Sequence, residues 1–505
     1  MSGNSNYNVD CHTCFTSKSR VGLISVMLGM TVCFSTLWRF PYQVANFGGA
    51  AFVLIYIILA ALFVYPALTA EWGLGRFTGK GLEEAYSKVK LPGGKYIAAL
   101  LFGIVIMIGS YFVIWIGWIL RYVFSSLTDS SLINPATNSN SYFDTNVAAN
   151  APIQLIFAVL VILLITPTLL GGTKIIEKIS KAIVPLFYVL TVIITVLILS
   201  QPRVFSGTIS FLTNIDIASQ VNSFTFLAAL GQAFFSLCLG GTYMVLYASY
   251  MERKPTHNIP GNAILTIIGN TLASLIAVFL VIGVVIMSGI STTNNLASFG
   301  PGLFFGVIPE AFQQISLTLG GPLASLLMTL FFVMFFFAAY LPMAAIITVT
   351  STALERKYNI KRKFSFAIIS IATLLLAIPS ALSPLDGGFL YNLDIFVGAI
   401  GSVFGSIIAM IAFAWFVDKK TALQEINFGS RIKMGNLYYF TIKYLAPLFM
   451  SLVVLYALAD VLINSQYVLY KSIITVTPIL VIFFVCFIGV IGITQTLSNR
   501  TRVKA

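Results

Sequence analysis

Apolar stretches too long for any soluble core recur along the whole chain, at roughly 21–46, 50–73, 96–127, 152–171, 176–200, 222–250, 260–290, 320–354, 364–383, 388–417, 437–463 and 468–496. A helix of about 20 residues crosses the hydrocarbon layer of a bilayer. Inside lipid, every backbone N–H and C=O must find a partner within the chain, so long apolar runs of this kind form helices. The pattern predicts an all-α membrane protein, one membrane domain with about twelve transmembrane helices. Composition points the same way: 58% of residues are hydrophobic and 9% charged, against about 25% charged in soluble domains.

The net charge of +13 raises the question of nucleic acid. Its distribution excludes that partner, because no segment is long and polar enough to form a basic soluble module. If loops alternate sides, most Lys and Arg fall on one side: Lys18 and Arg20, Arg76 to Lys95, Lys174 to Lys181, Arg253 and Lys254, Arg356 to Lys363, Lys419 to Lys443, and Arg500 to Lys504. The other side keeps Arg121, Arg203 and Lys471, and Arg39 lies within the membrane. This positive-inside bias places both termini in the cytoplasm. A multi-pass protein of the plasma membrane, without a cleavable leader, is expected. The five cysteines are scattered and the external segment 128–151 has none, so no disulfide framework is indicated. Cys11-His12-Thr13-Cys14 resembles half a metal site, but without a second pair it reads as a tail that binds no metal.

Two spans are interrupted. The first carries Cys33-Phe34-Ser35-Thr36-Leu37-Trp38-Arg39-Phe40-Pro41, with a cation at membrane depth; the sixth carries Ser236-Leu237-Cys238-Leu239-Gly240-Gly241. A charge persists at that depth where it faces water or an acidic partner. Two broken helices, one early in each half, are the sequence pointer to a transporter binding site. The expected organisation is a cytoplasmic tail (1–20), a first five-helix repeat (21–200), a second (201–418), and two further helices with a short C-terminal tail (419–505). Longer polar segments lie outside at 128–151, 201–221 and 291–319. The last contains Gly300-Pro301-Gly302-Leu303 and Pro309-Glu310-Ala311-Phe312 and reads as a structured extracellular capping loop broken by Pro and Gly.

Several spaced motifs, Arg39-Phe40-Pro41 with Gly48-Gly49-Ala50-Ala51-Phe52, Glu71-Trp72-Gly73-Leu74-Gly75-Arg76, Gly231-Gln232-Ala233-Phe234-Phe235-Ser236 and the Gly300–Phe312 segment, occur in the right order to resemble the neurotransmitter:sodium symporter family over roughly residues 18–465. The resemblance implies the LeuT-type fold, a 5+5 inverted repeat plus two helices, and transport of amino acids or amines with sodium.

By motif position, Arg39 and Asp394 correspond to the extracellular gate, a pair whose charges attract strongly when water is excluded. The first sodium site would use the carbonyl of Thr31, the side chains of Thr36 and Asn270, and Ser236; the family usually has Asn where Thr36 stands. The second site would take carbonyls from Gly29, Val32 and Ala338. Its two hydroxyl positions on the eighth span read Leu341 and Pro342, and losing two of about five oxygens should weaken sodium binding severely. The site is then empty, rearranged, or serves another ion. Tyr56, Gln232, Ser236 and Ser274 match the four chloride positions, and all can donate hydrogen bonds. Glu71, deep in the second span, either braces the broken helices or titrates and couples protons.

The pocket departs from the family. Phe112 stands where the carboxylate-binding tyrosine belongs, and the neighbouring Tyr111 points elsewhere on the helix. Cys33 stands where amine transporters carry an aspartate, which argues against a cationic amine. Gly241 replaces a bulky aromatic and would make room. With Ser35, Phe235, Cys238 and Ile346, these residues predict a largely apolar pocket for a large hydrophobic or aromatic amino acid. The inner gate is altered as well: the family's basic N-terminal motif falls at Cys14-Phe15-Thr16-Ser17, and its acidic partner at Arg356. The expected function is a secondary active transporter that imports an amino acid with sodium, a monomer or homodimer in the lipid bilayer. It has no cofactor, no enzymatic activity and no metal beyond sodium, with chloride as an additional candidate ion. The alternatives are a non-transporting amino-acid receptor or scaffold on the same fold, and a proton-coupled or uncoupled transporter.

Overall fold

A computed structural model describes residues 20–32, 35–171, 173–214, 221, 223–287, 302–384 and 388–463. The expected tail, the half metal motif, Cys33, the inner-gate positions 14–17, the first part of the capping segment and the twelfth span lie outside these residues.

The helices follow the apolar runs. The first span is a bent pair, α1 (Arg20–Thr31) and α2 (Ser35–Asn46), turning by 54°. After it come α3 (Gly49–Thr78), the short α4 (Leu82–Lys88), α5 (Gly94–Thr128), α6 (Ala151–Gly171) and α7 (Thr173–Leu199). The second half opens with α8 (Pro202–Thr213) and the broken sixth span, α9 (Ser223–Ser236) and α10 (Tyr243–Ser249). It continues through α11 (Ile259–Met287), α12 (Gly302–Leu319), α13 (Gly321–Tyr358), α14 (Arg362–Leu382), α15 (Phe389–Phe416), α16 (Lys419–Asn427) and α17 (Asn436–Tyr456). No strand occurs among the described residues.

Two expectations need correction. Pro309 does not break the capping segment: it sits inside α12. That helix is pinned by Gln313, whose amide nitrogen donates to Leu132 O and Thr137 O at 3.2 and 3.1 Å, and by Tyr122, whose hydroxyl donates to Phe305 O at 2.9 Å. The spans expected to be continuous also contain π-helical turns, at Ala60–Val64 in α3, Asp394–Gly401 in α15 and Thr441–Leu445 in α17. Such turns insert one residue into an otherwise helical pattern and need no Gly or Pro to do so, so they are not marked by a helix-breaking signal.

Packing divides the helices into two groups. α5, α6, α13 and α14 contact one another and form a scaffold. α1 with α2, α3, α9 with α10, and α11 form a bundle that meets the scaffold mainly through α1, α10 and α13. The break in the sixth span depends on glycine. Gly240 and Gly241 have φ of 146° and 70°, a region L side chains rarely adopt. A methyl at Gly405 would lie 2.1 Å from the Gly240 carbonyl oxygen, so α15 and the unwound segment touch backbone to backbone. Gly405→Val should therefore lower stability by about 1–3 kcal/mol, the usual range for overpacking; a drop in the thermal unfolding midpoint in detergent checks this, and an unchanged midpoint would show that the two backbones can part freely.

Candidate functional site

The two breaks meet in the bundle, where the Cys238 sulfhydryl donates to Met30 O, and Glu71 of α3 ties the break between α9 and α10 to α15. Its Oε1 accepts the backbone N–H groups of Gly240 and Gly241 at 3.1 and 2.9 Å and the hydroxyl of Ser406. A carboxylate thus satisfies donors that a continuous helix would have satisfied itself. Gly241 is committed to this contact: a methyl there would lie 2.5 Å from Gly405 O and 3.1 Å from the Tyr86 hydroxyl. It does not line the neighbouring cavity, so its expected role of making room there is not where the structure places it.

At one end of the bundle Arg39 Nε meets Asp394 Oδ2 at 2.9 Å, both side chains almost fully buried (2% and 5% exposed). Arg39 also donates to Gln232 Oε1 at 2.9 Å, and its guanidinium lies 5.0 Å from the centre of the Phe235 ring, within cation–π range. Tyr111 points away from the cavity that Phe112 lines, and donates to Asp394 Oδ1 at 3.1 Å, a partner the sequence reading did not name. The pair is thereby surrounded by hydrogen bonds and an aromatic face, which compensates the desolvation of both charges.

Beside α2, oxygens outnumber protons. The single hydroxyl proton of Thr36 faces Thr31 O at 3.2 Å and Asn270 Oδ1 at 3.3 Å. Asn270 spends its amide hydrogens on Tyr56 OH and Ser236 Oγ, at 3.2 and 3.1 Å, which turns its carbonyl oxygen toward Thr36. Three neutral oxygens with one proton among them suit a hard cation. The four anion-type residues adjoin the same cluster, Asn270 touching Tyr56 and Ser236 directly. Ser236 and Ser274 donate to Ala233 O and Asn270 O at 3.3 and 2.9 Å, and Gln232 donates to Ser35 O at 3.2 Å. Gln232 thus joins the cluster to the Arg39 pair.

Below Phe235 lies a narrow cavity of about 30 Å³ between bundle and scaffold. It brings together Phe112, Phe235, Cys238 and Ile346 and adds Ile108, Tyr243, Pro342 and Ser402, which the sequence reading did not include. At the expected second cation site, a methyl built on Gly29 would lie 3.0 Å from Leu341 Cδ1 and 2.9 Å from Ser180 Oγ. Leu341 packs directly on the α1 backbone, and Ser180 of α7 is a hydroxyl the spacing did not reveal. Pro342 has no N–H, so the carbonyl of Ala338 lacks its helical donor.

At the opposite end a cavity of about 570 Å³ is lined by Phe102, Leu246, Val349 and Thr352 together with α4. On α10 and α13 these positions lie about one helical turn from the narrow cavity. Arg356 NH1 and Glu84 Oε2 are 3.5 Å apart, and Lys357 Nζ and Glu83 Oε1 3.0 Å. The basic residue that reverses the expected acidic gate thus finds its counter-charge on α4. Arg76, the last residue of the Glu71 motif, pairs with the buried Glu425 of α16 at 2.5 Å.

The model of the sodium:neurotransmitter symporter family matches residues 15–149 and 142–499. The chain belongs to the sodium:neurotransmitter symporter family. It is 26% identical over 452 residues to the uncharacterized sodium-dependent transporter YhdH of Bacillus subtilis, covering 86% of this chain and 96% of that one. It is 25% identical over 491 residues to the sodium-dependent dopamine transporter of Bos taurus, covering 88% and 68%. Among solved structures, MhsT in complex with L-phenylalanine matches with a TM-score of 0.76 and 27% identity over 86% of this chain and 98% of that one. The fold is therefore the LeuT type, and the family is one of sodium-dependent transporters rather than enzymes.

Asp394→Asn leaves the Arg39 guanidinium buried without a counter-charge, a loss of about 3–5 kcal/mol. Uptake should fall at least tenfold; undiminished uptake would show that the pair is not needed for transport. The half-exposed Arg356–Glu84 pair is worth about 0.2–1 kcal/mol. Arg356→Glu should raise thiol labelling of a Thr352→Cys reporter by up to about fivefold, and adding Glu84→Arg should reverse the change.

Proposed function

We propose that this symporter imports an amino acid with a large hydrophobic or aromatic side chain, coupled to sodium by alternating access in the plasma membrane. The observation that carries the reading is one continuous arrangement: an oxygen-rich cluster at the break of α1 and α2, an apolar cavity beside it, and a buried Arg39–Asp394 pair above both. The cluster suits a cation and the charged end of an amino acid, since broken helices present bare backbone dipoles there. The cavity, walled by Ile108, Phe112, Phe235 and Ile346, suits an apolar side chain. MhsT, similar over most of its length, is a complex with L-phenylalanine, which supports the same substrate class.

In this reading sodium and substrate enter while bundle and scaffold stand apart, because the narrow cavity admits no side chain without separation of its walls. The Arg39–Asp394 pair then closes above them, with Phe235 as the floor of the gate. The bundle tilts on the scaffold, the Glu84 and Glu83 pairs with Arg356 and Lys357 release, and the load leaves through the wide cavity, which faces the cytoplasm. Glu71 acts as a brace through this movement. One sodium ion drives the cycle, since Leu341 occupies the space of the second ion's hydroxyl ligands. The closed gate at one end and the wide cavity one turn away at the other favour transport over a receptor role.

Uptake into liposomes from a mixed amino-acid pool, with sodium, chloride and proton gradients imposed one at a time, tests this. Accumulation should follow the sodium gradient with a hyperbolic sodium dependence. Binding without accumulation under every gradient would overturn it in favour of a receptor. Leu341→Thr combined with Pro342→Ser should raise sodium affinity and steepen the sodium curve; an unchanged curve would show that these two positions do not limit coupling.

A further inference from the structure

We infer that Tyr243 sets the side-chain specificity of the cavity, its hydroxyl selecting a substrate whose side chain carries a hydrogen-bonding group at its far end. The inference rests on the reading of this cavity as the substrate site and narrows the substrate class. Tyr243 opens α10, directly after the unwound segment. Its side chain lines the cavity and is 6% exposed. Its hydroxyl oxygen is buried with no hydrogen-bond partner.

An unpartnered buried hydroxyl is unfavourable, because the hydrogen bond it would make to water is not replaced. Replacement by phenylalanine would remove that penalty with the ring in place, so the oxygen has a reason to be there only if something bonds to it. No wall residue bonds to it in this arrangement. Ile108, Phe112, Phe235, Ala345 and Ile346 have no polar side-chain atom, the Cys238 sulfhydryl donates to Met30 O at 3.2 Å, and the Ser402 hydroxyl, which also lines the cavity, is not bonded to Tyr243.

Position then decides which part of the substrate the hydroxyl meets. The charged groups of an amino acid belong at the oxygen cluster around Thr31 O, Thr36 and Asn270. The cavity takes the side chain, so Tyr243 faces the side chain and not the carboxylate. The sequence change at this site is consistent with that division. Phe112 carries no hydroxyl for a carboxylate, and Gly241 carries no ring. Two residues further on, Tyr243 brings both a ring and a hydroxyl into the cavity from the other side of the break. A site built to hydrogen-bond a substrate group discriminates strongly against the analogue that lacks it, because its own polar atom is then left unpaired.

Tyrosine and phenylalanine differ by the one group at issue. Displacement of a radiolabelled aromatic amino acid from the purified full-length protein, in saturating sodium, should show L-tyrosine binding at least tenfold more tightly than L-phenylalanine. In Tyr243→Phe the ratio should fall to about one or below, while phenylalanine affinity stays within about threefold, which also reports that the variant is folded. If the wild type binds both and the ratio does not respond to Tyr243→Phe, the assignment of Tyr243 falls and the site reading stands. A wild-type preference for phenylalanine overturns the assignment in the same way. If neither amino acid binds while tracer sodium still does, the site reading fails and the inference fails with it.

Discussion

The structure depends on how a membrane protein deals with backbone groups it has deliberately left unpaired. In lipid an unsatisfied N–H is expensive, so a span can be unwound only where something else accepts it. Here the acceptor is Glu71, reaching from α3 to the N–H groups of Gly240 and Gly241 and held by Ser406 of α15. The close contact of Gly405 with the Gly240 carbonyl belongs to the same solution. Without a glycine on both sides the backbones could not approach, and without the carboxylate the approach would strand polar groups. The break then supplies what a continuous helix cannot: backbone dipoles at mid-membrane, and an abrupt change of direction that brings Tyr243 to the cavity.

The two ends of the molecule are held by different physics. Arg39 and Asp394 are buried and surrounded by Gln232, Tyr111 and Phe235, so their attraction is little screened and costly to break once formed. The pairs between α4 and α13 are partly exposed, so each is weak and easily exchanged for water. A transporter that must hold its load on one side and release it on the other gains from that inequality. In the proposed cycle, conformational change is a choice between two packings of bundle on scaffold, and the strength of each set of contacts biases that choice.

Much of the fold was legible in the sequence. Hydrophobic run length fixes the number of spans and their approximate ends, because the bilayer's thickness does. The two interruptions and the cation at Arg39 were visible as polar or glycine-rich stretches where apolar ones are the rule, whereas Thr36, Asn270 and Asp394 were placed by the resemblance of their motifs to the family. What escaped were contacts that carry no local signature. Tyr111 and Phe112 are adjacent, and only the rotation of α5 decides which meets the gate and which the cavity. Pro309 reads as a breaker but sits inside α12, and the π-helical turns of α3, α15 and α17 are not marked by a helix-breaking signal. Tyr243, which the sequence reading did not include, lines the cavity where Gly241 was expected, because unwound backbone has no fixed periodicity.

The sequence by itself determined that this chain lies in a membrane as helices, that two of them are interrupted, and that a cation stands at membrane depth. Those follow from transfer free energies, which depend on composition along a segment and not on its neighbours. Only the tertiary structure decided that Glu84 takes up the charge left by Arg356, that Leu341 lies against Gly29, and that a tyrosine hydroxyl remains unpaired at an apolar cavity. Each depends on the orientation of one helix against another, and that orientation is set by the packing of the whole bundle.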